Sequence, residues 1–288
     1  MTYTTRHHGH HQQPVLVLGS NGKTGRRVAA RLQARGIPVR AVSRHTTIRF
    51  DWEDESTWPS ALDGAAAAYV TYQPDLAVPG AAQQVSRLAG LAAEAGVERA
   101  VLLSGRGEEG ALAGEQAMLR ALPHATVLRC SWFFQNFTEG AFRDSVLDGV
   151  IALPVSPSIG EPFLDADDIA DTAVLALTEE GHAGRVHELT GPRSLTFPEV
   201  AGALTAAVGR PVQFVEVSVP EFVDGAVQVG MPEPDARMLA ELIGEVLDGR
   251  NTATTSNVSR LLGRPARDFS AFIRAAERAG AWASERVG

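Results

Sequence analysis

A four-residue apolar run, Val15-Leu16-Val17-Leu18, leads directly into Gly19-Ser20-Asn21-Gly22-Lys23-Thr24-Gly25, and a helical pattern follows at once. This junction constrains the fold more than any other stretch. A short continuous apolar run suits a strand buried on both faces. The glycines permit a tight turn and close approach of backbone to an anion, and a helix start offers free N–H groups and a positive dipole end. An ordinary strand–helix turn is the plainer reading, but the context favours a dinucleotide pyrophosphate site. A nucleotide triphosphate loop shares Gly22-Lys23-Thr24 but needs glycine five positions before Gly22, where Val17 stands.

Strand and helix patterns alternate from there. Strands are predicted at 15–18, 39–43, 48–50, 66–71, 100–103 and 125–128, with helices near 24–34, 56–62, 81–95 and 114–122. Such alternation implies a parallel sheet covered on both faces. Residues 150–164, with Pro154, Pro157 and Pro162, read as loop, 167–177 as helix, and 186–189 as a strand able to rejoin the sheet. From Thr196 the pattern is helical with one strand at 212–217. The expected fold class is α/β, a Rossmann-type doubly wound parallel sheet with a smaller, mainly helical C-terminal substrate lobe. The cofactor domain would span 14–150 with 165–191 returning to it. The lobe would span 192–288 with 151–164.

Net charge is −8 and the arginines are scattered, which argues against a nucleic-acid surface. No apolar run nears the roughly 18 residues of a membrane span. The start of the chain lacks a signal peptide's apolar core. Cys130 is the single cysteine, so no intrachain disulfide forms and a cytoplasmic setting is expected. His7, His8, His10 and His11 lie in a polar tail over 1–13, expected to be disordered, and no metal site is predicted.

About 20 residues past the loop, an acid would hold the ribose of NAD, and an arginine the 2′-phosphate of NADP. Ser43-Arg44-His45 stands there without an acid. Arg44 suits bidentate phosphate pairing and Ser43 adds a hydroxyl, so NADP(H) is preferred over NAD(H). Lys23 is expected to reach phosphate, or else to sit solvated on the first helical turn. Asp51 is placed to accept from the adenine amino group, or is one loop acid among Glu53, Asp54 and Glu55.

Five segments in this order carry a resemblance. They are Val17 to Gly25, Arg40 to Arg44, Leu102-Leu103-Ser104-Gly105, Thr126 to Phe137 and Phe163 to Ala170, with a late Leu262-Gly263-Arg264-Pro265. Together they resemble the NmrA-like branch of the atypical short-chain dehydrogenases, over most of residues 14–280. The resemblance implies an NADP-binding Rossmann domain with a smaller substrate lobe. Such proteins include quinone and ketone reductases, isoflavone-type reductases, and redox sensors that bind a protein partner. It implies that Arg129 to Asn136 lie near the nicotinamide and that Thr71, Tyr72 and Gln73 flank the cofactor. Asp168-Ile169-Ala170 would be a structural corner. Related folds often dimerise through helices, so a homodimer is one expected state.

The chemistry such a fold usually runs is missing its acid. Short-chain dehydrogenases protonate the developing oxyanion with a tyrosine whose pKa a lysine lowers. Lys23 is the only lysine, and none of Tyr3, Tyr69 and Tyr72 has a lysine four positions on. Where the family's pair would fall, Ala111 and Glu115 stand. Since a positioned acid is worth about 10²–10⁴ in rate, a reductase needs a substitute. Ser104 and Tyr72 are the catalytic candidates, although Ser104 could simply cap backbone and Tyr72 could pack against the cofactor. Glu115 is expected to pair with an arginine at the surface. His124 is expected to be exposed, and His182 and His187 have no evident partner. The substrate's own hydroxyl, or a water relay, could also supply the proton.

Trp132, Phe133, Phe134, Asn136, Phe137 and Phe163 are expected to line a pocket for a flat aromatic small molecule, helped by Pro154, Val155, Phe222, Val223, Val227 and Met231. Each aromatic could equally glue the lobes together. The function expected is an NADPH-dependent reductase of a polycyclic aromatic ketone or quinone, in natural-product biosynthesis. The alternative is a non-catalytic NADP(H) sensor, and a weaker third is a lyase or isomerase that retains NADP.

Overall fold

The computed structural model describes residues 13–283, so the histidine-rich tail lies outside the described residues. The first half runs β1 Val15–Leu18, α1 Gly25–Ala34, β2 Val39–Val42, α2 Trp58–Leu62, β3 Ala67–Val70, α3 Ala81–Glu94, β4 Arg99–Gly105, α4 Glu109–Ala121 and β5 Thr126–Cys130. There follow α5 Ala141–Asp148, β6 Val150–Leu153, β7 Gly160–Glu161, α6 Ala166–Thr178, β8 Val186–Leu189, β9 Leu195–Thr196, α7 Phe197–Val208 and β10 Gln213–Glu216. The chain continues through α8 Val219–Gln228, α9 Glu233–Val246, α10 Asn257–Leu262 and α11 Phe269–Arg278.

Six strands form one parallel sheet in the order β2-β1-β3-β4-β5-β8. The chain leaves β1 toward one edge and returns to its other side at β3, so a crevice opens at the carboxyl ends of these strands. One face packs Leu16, Leu18, Val70 and Leu102 against Trp58, Val85, Leu88 and Met118. The other packs Val17 and Val101 against Val28 and Leu32 of α1 and Ile169 and Val174 of α6. Helix α1 is also held to α6 by ion pairs, Arg27 and Arg31 to Asp167 and Arg31 to Asp171. Asp168, fully buried, pairs with Arg264 and Arg267 and so locks the late segment to α6, a structural corner.

A third core belongs to the C-terminal lobe and is built around Phe134, Phe137, Phe163, Phe197, Phe269 and Ile243. Its small sheets pair β6 with β10 in parallel and β7 with β9 antiparallel.

Three local expectations are corrected. Residues 48–50 form no strand beyond a single Ser43–Arg49 bridge, because Phe50 turns inward to stack on Trp58. Within the expected loop 150–164, Val150–Leu153 is a strand, alternately exposed and buried, whose partner lies far along the chain. Helix α4 begins at Glu109, not near Gly114. Its Gly110 and Gly114 lower helix propensity, but a Cβ at either would crowd Ala77 or Leu76. They are glycines because the 75–78 loop lies directly on this helix.

Candidate active site

Two cavities meet at the carboxyl end of the sheet. The first, of about 740 Å³, is lined by Gly19, Asn21, Gly22, Ser43, Arg44, Asp51, Thr71, Gln73 and Pro74, with Asp235 from α9. Gly19 has φ +62°, and a Cβ there would strike the Thr71 hydroxyl. A Cβ at Gly25 would strike the Gly19 carbonyl, so the loop closes only with glycine at both positions. Asn21 Nδ2 donates to Ser43 Oγ at 3.1 Å, joining the glycine loop to the end of β2. Arg44 is the only arginine lining this cleft among the described residues, and it is exposed. Asp51 is also there, its carboxylate taking Arg49 and the Glu53 N–H, and the Arg49 hydrogen bond holds it below the usual carboxylate range. A glycine cradle facing a helix N-terminus, with a cationic far end, fits a dinucleotide.

Ser20, Thr24 and Gly25 do not line this cleft. They are buried at the β1–α1 turn, with Ser20 N–H donating to Val42 O at 3.2 Å. Lys23 faces elsewhere. Its ammonium points into the second cavity and donates to Asn136 Oδ1 at 3.0 Å. Burial lowers its pKa, opposed by Glu139.

The second cavity, of about 420 Å³, shares Pro74 as a wall. Trp132, Phe133 and Asn136 line it, with Phe142 and, from α9, Leu239 and Leu242. Phe134, Phe137 and Phe163 do not. Each is 1% exposed and packs edge-on or tilted within the lobe core, Phe137 against Phe163 at 5.5 Å and Phe134 against Phe269 at 5.1 Å. The short 3₁₀ turn Phe134–Phe137 explains the split: it turns Asn136 toward the cavity and both phenylalanines into the core. Pro154, Val155, Phe222, Val223, Val227 and Met231 are likewise absent from the lining.

Both catalytic candidates line this cavity with their hydroxyls already engaged. Ser104 donates to Glu115 Oε1 at 2.7 Å, and Tyr72 to Gln84 Oε1 at 2.5 Å. Burial, then Glu53, raises the Tyr72 pKa further from use as an acid. Glu115 does pair with an arginine, but in the interior: it is 2% exposed and grips Arg129 through two nitrogens. Arg129 is thereby held off this cavity's wall. His182 and His187 are partners to one another at 3.3 Å, and His124 is exposed.

Two acids that the sequence reading passed over stand in the cavity wall, Asp75 after β3 and Glu108 after β4. Burial and the neighbouring Asp75 charge push Glu108 up to about 8, and burial raises Asp75 as well. The signal was available: each acid follows the carboxyl end of a parallel strand, where ligands of such sheets bind. Glu108 stands just before α4, in a stretch where the sequence pattern predicts no helix until near Gly114. A further cavity, lined by Val97, Arg99, Pro123 and His124, opens at the amino ends of β4 and β5, away from these groups.

A glycine-looped parallel sheet with a cleft and cavity at its carboxyl edge defines a dinucleotide-binding protein of the short-chain dehydrogenase class. No family model matches the chain. Agroclavine dehydrogenase of Claviceps fusiformis is 33% identical over 281 residues, 90% of this chain and 96% of the relative. The NAD(P)H azoreductase of Xenophilus azovorans is 31% identical over 287 residues, 91% and 97% respectively. The Escherichia coli NADPH-dependent quinone oxidoreductase solved with NADPH shares the fold, with TM-score 0.77, 22% identity, and 91% of this chain and 99% of that one covered. The chain belongs to the NmrA-like branch of the atypical short-chain dehydrogenase/reductase family and is an NAD(P)H-dependent oxidoreductase. No helix among the described residues is long and apolar enough to cross a membrane.

Proposed function

We propose that the chain is an NADPH-dependent reductase of a flat aromatic ketone or quinone that works without a Tyr-x-x-x-Lys pair. The observation that carries this reading is the aromatic and leucine-walled cavity abutting the dinucleotide cleft at Pro74. A protein that only sensed cofactor redox state would not need it. When bound, reduced nicotinamide supplies hydride. The residues of the chain hold and orient: Gly19, Asn21 and Gly22 at the pyrophosphate, Ser43 and Arg44 at the 2′-phosphate, and Thr71 and Gln73 along the β3 side. Trp132, Phe133 and Phe142 hold a planar substrate, with Leu239 and Leu242 closing over it and excluding water. Relatives named for azo compounds and for agroclavine support aromatic substrates.

The test is absorbance of NADPH with a panel of quinones and hydroxylated aryl ketones. Oxidation with members of that panel is expected. Tight NADPH binding with no oxidation by any of them would leave a cofactor sensor instead.

A further inference from the structure

We propose that the Asp75–Glu108 carboxyl pair is the proton source of the reaction cavity, Glu108 giving its carboxyl proton to the oxygen on which hydride transfer leaves negative charge. This rests on the reductase reading above and supplies the acid that it otherwise lacks.

The placement is built, not incidental. Glu108 is the N-cap residue of α4, yet its side chain makes no capping bond to that helix. It folds back over Gly105 at the end of β4, where a Cβ would overlap its carboxylate. Gly110 and Gly114 let the loop after β3 settle on α4 and bring Asp75 to it. Asp75 Oδ1 accepts the Ala77 N–H at 2.8 Å, which holds its carboxylate on the same cavity wall as Glu108, where its charge raises the Glu108 pKa. Two neighbouring buried carboxyls on one cavity wall favour keeping one proton between them.

The surroundings keep that proton in place. Glu245 of α9 and Glu115 of α4 add negative charge, and β5 contributes the buried Cys130 thiol, itself raised by burial and by Glu108. The Arg129 guanidinium is spent on Glu115, and the Lys23 ammonium, across the same cavity, on Asn136. Ser131, 2% exposed, also lines the cavity, with Glu161 beside its hydroxyl. For stability alone, a buried like-charged pair is a poor choice.

The step balances. Hydride adds to the carbonyl carbon and the C=O π pair moves to oxygen. The Glu108 O–H bond breaks, its electron pair stays on the carboxylate, and the proton bonds to that oxygen. The two electrons come from NADPH, which ends as NADP⁺, and solvent reprotonates the pair.

The experiment compares two hydride acceptors. An aryl ketone needs a proton; a triarylmethane cation takes hydride at its central carbon and needs none. In Glu108→Gln the ketone rate relative to the dye rate should fall about 100-fold. Gly105→Ala, which pushes the carboxyl aside without removing it, should lower the same ratio. Asp75→Asn removes the neighbouring charge, lowers the Glu108 pKa, and should move the alkaline limb of ketone reduction to lower pH. Apart from turnover, the protein alone at neutral pH should show an infrared band of a protonated carboxyl that Glu108→Gln abolishes. An unchanged rate ratio, whether both rates hold or both fall together, overturns the proposal, and so does absence of the band. Wild-type protein that oxidises NADPH with neither acceptor defeats the reductase reading itself, a different result from an unchanged ratio.

Discussion

At the ends of β1 and β2 the cleft is made largely of backbone: Gly19 and Gly25 set the turn, and few side chains beyond Ser43 and Arg44 are asked to be in one place. At the ends of β4 and β5 the cavity is made of side chains drawn from five separate stretches, Lys23, Tyr72 to Leu76, Leu103 to Glu108, Cys130 to Phe142, and α9. The first kind of site depends on glycines at set spacing in one short segment. The second depends on how distant segments pack, so its geometry follows the stability of the lobe core behind it.

The largest effect should come from that core. Phe137→Ala empties a fully packed ring site and should cost about 3–5 kcal/mol of stability in urea denaturation. It should loosen the cavity while leaving the glycine loop intact; NADPH affinity lost in step with stability would break the distinction between the two regions.

Next is Glu161, buried beneath Trp132, whose N–H it accepts at 3.2 Å. Burial raises its pKa to about 7. Its folded value lies above the unfolded one, so stability is full below the ordinary carboxylate range and declines as pH rises toward and through 7. The decline should reach about 3 kcal/mol at most. Glu161→Gln keeps the acceptor oxygen and should remove that share of the slope in melting curves from pH 4 to about 7, leaving the decline that Glu108 contributes up to about 8.

Arg44→Ala sharpens the cofactor side. Loss of charge-assisted bonds worth about 1.5–3 kcal/mol should weaken NADPH about 10- to 100-fold with NADH little changed, read by fluorescence titration. Equal weakening of both would remove Arg44 from 2′-phosphate recognition. Smallest is Trp132→Ala, where lost aromatic contact of about 0.5–1.5 kcal/mol should raise KM for a planar substrate with kcat nearly kept. A matching fall in kcat would mean that Trp132 orients the reaction rather than merely holding the substrate.

Legibility followed the same division. The β1–α1 junction, the alternation of strands and helices, and the family segments were readable because each is a local pattern in contiguous residues. Strand β6 was not, since Val150–Leu153 becomes a strand only on meeting Gln213–Glu216. Nor was the fate of Trp132-Phe133-Phe134-Gln135-Asn136-Phe137. Four aromatics in six residues promise a wall, and the turn at 134–137 then sends two of them inward.

By itself the sequence determined the parallel sheet, the glycine cradle and the absence of a tyrosine–lysine pair, because spacing and residue counts suffice for each. Only tertiary structure decided where Lys23 points, that the Ser104 and Tyr72 hydroxyls are engaged, and that Asp75 and Glu108 share one cavity wall. Those outcomes depend on contacts between segments far apart in the chain, which are set by packing and burial rather than by any local pattern.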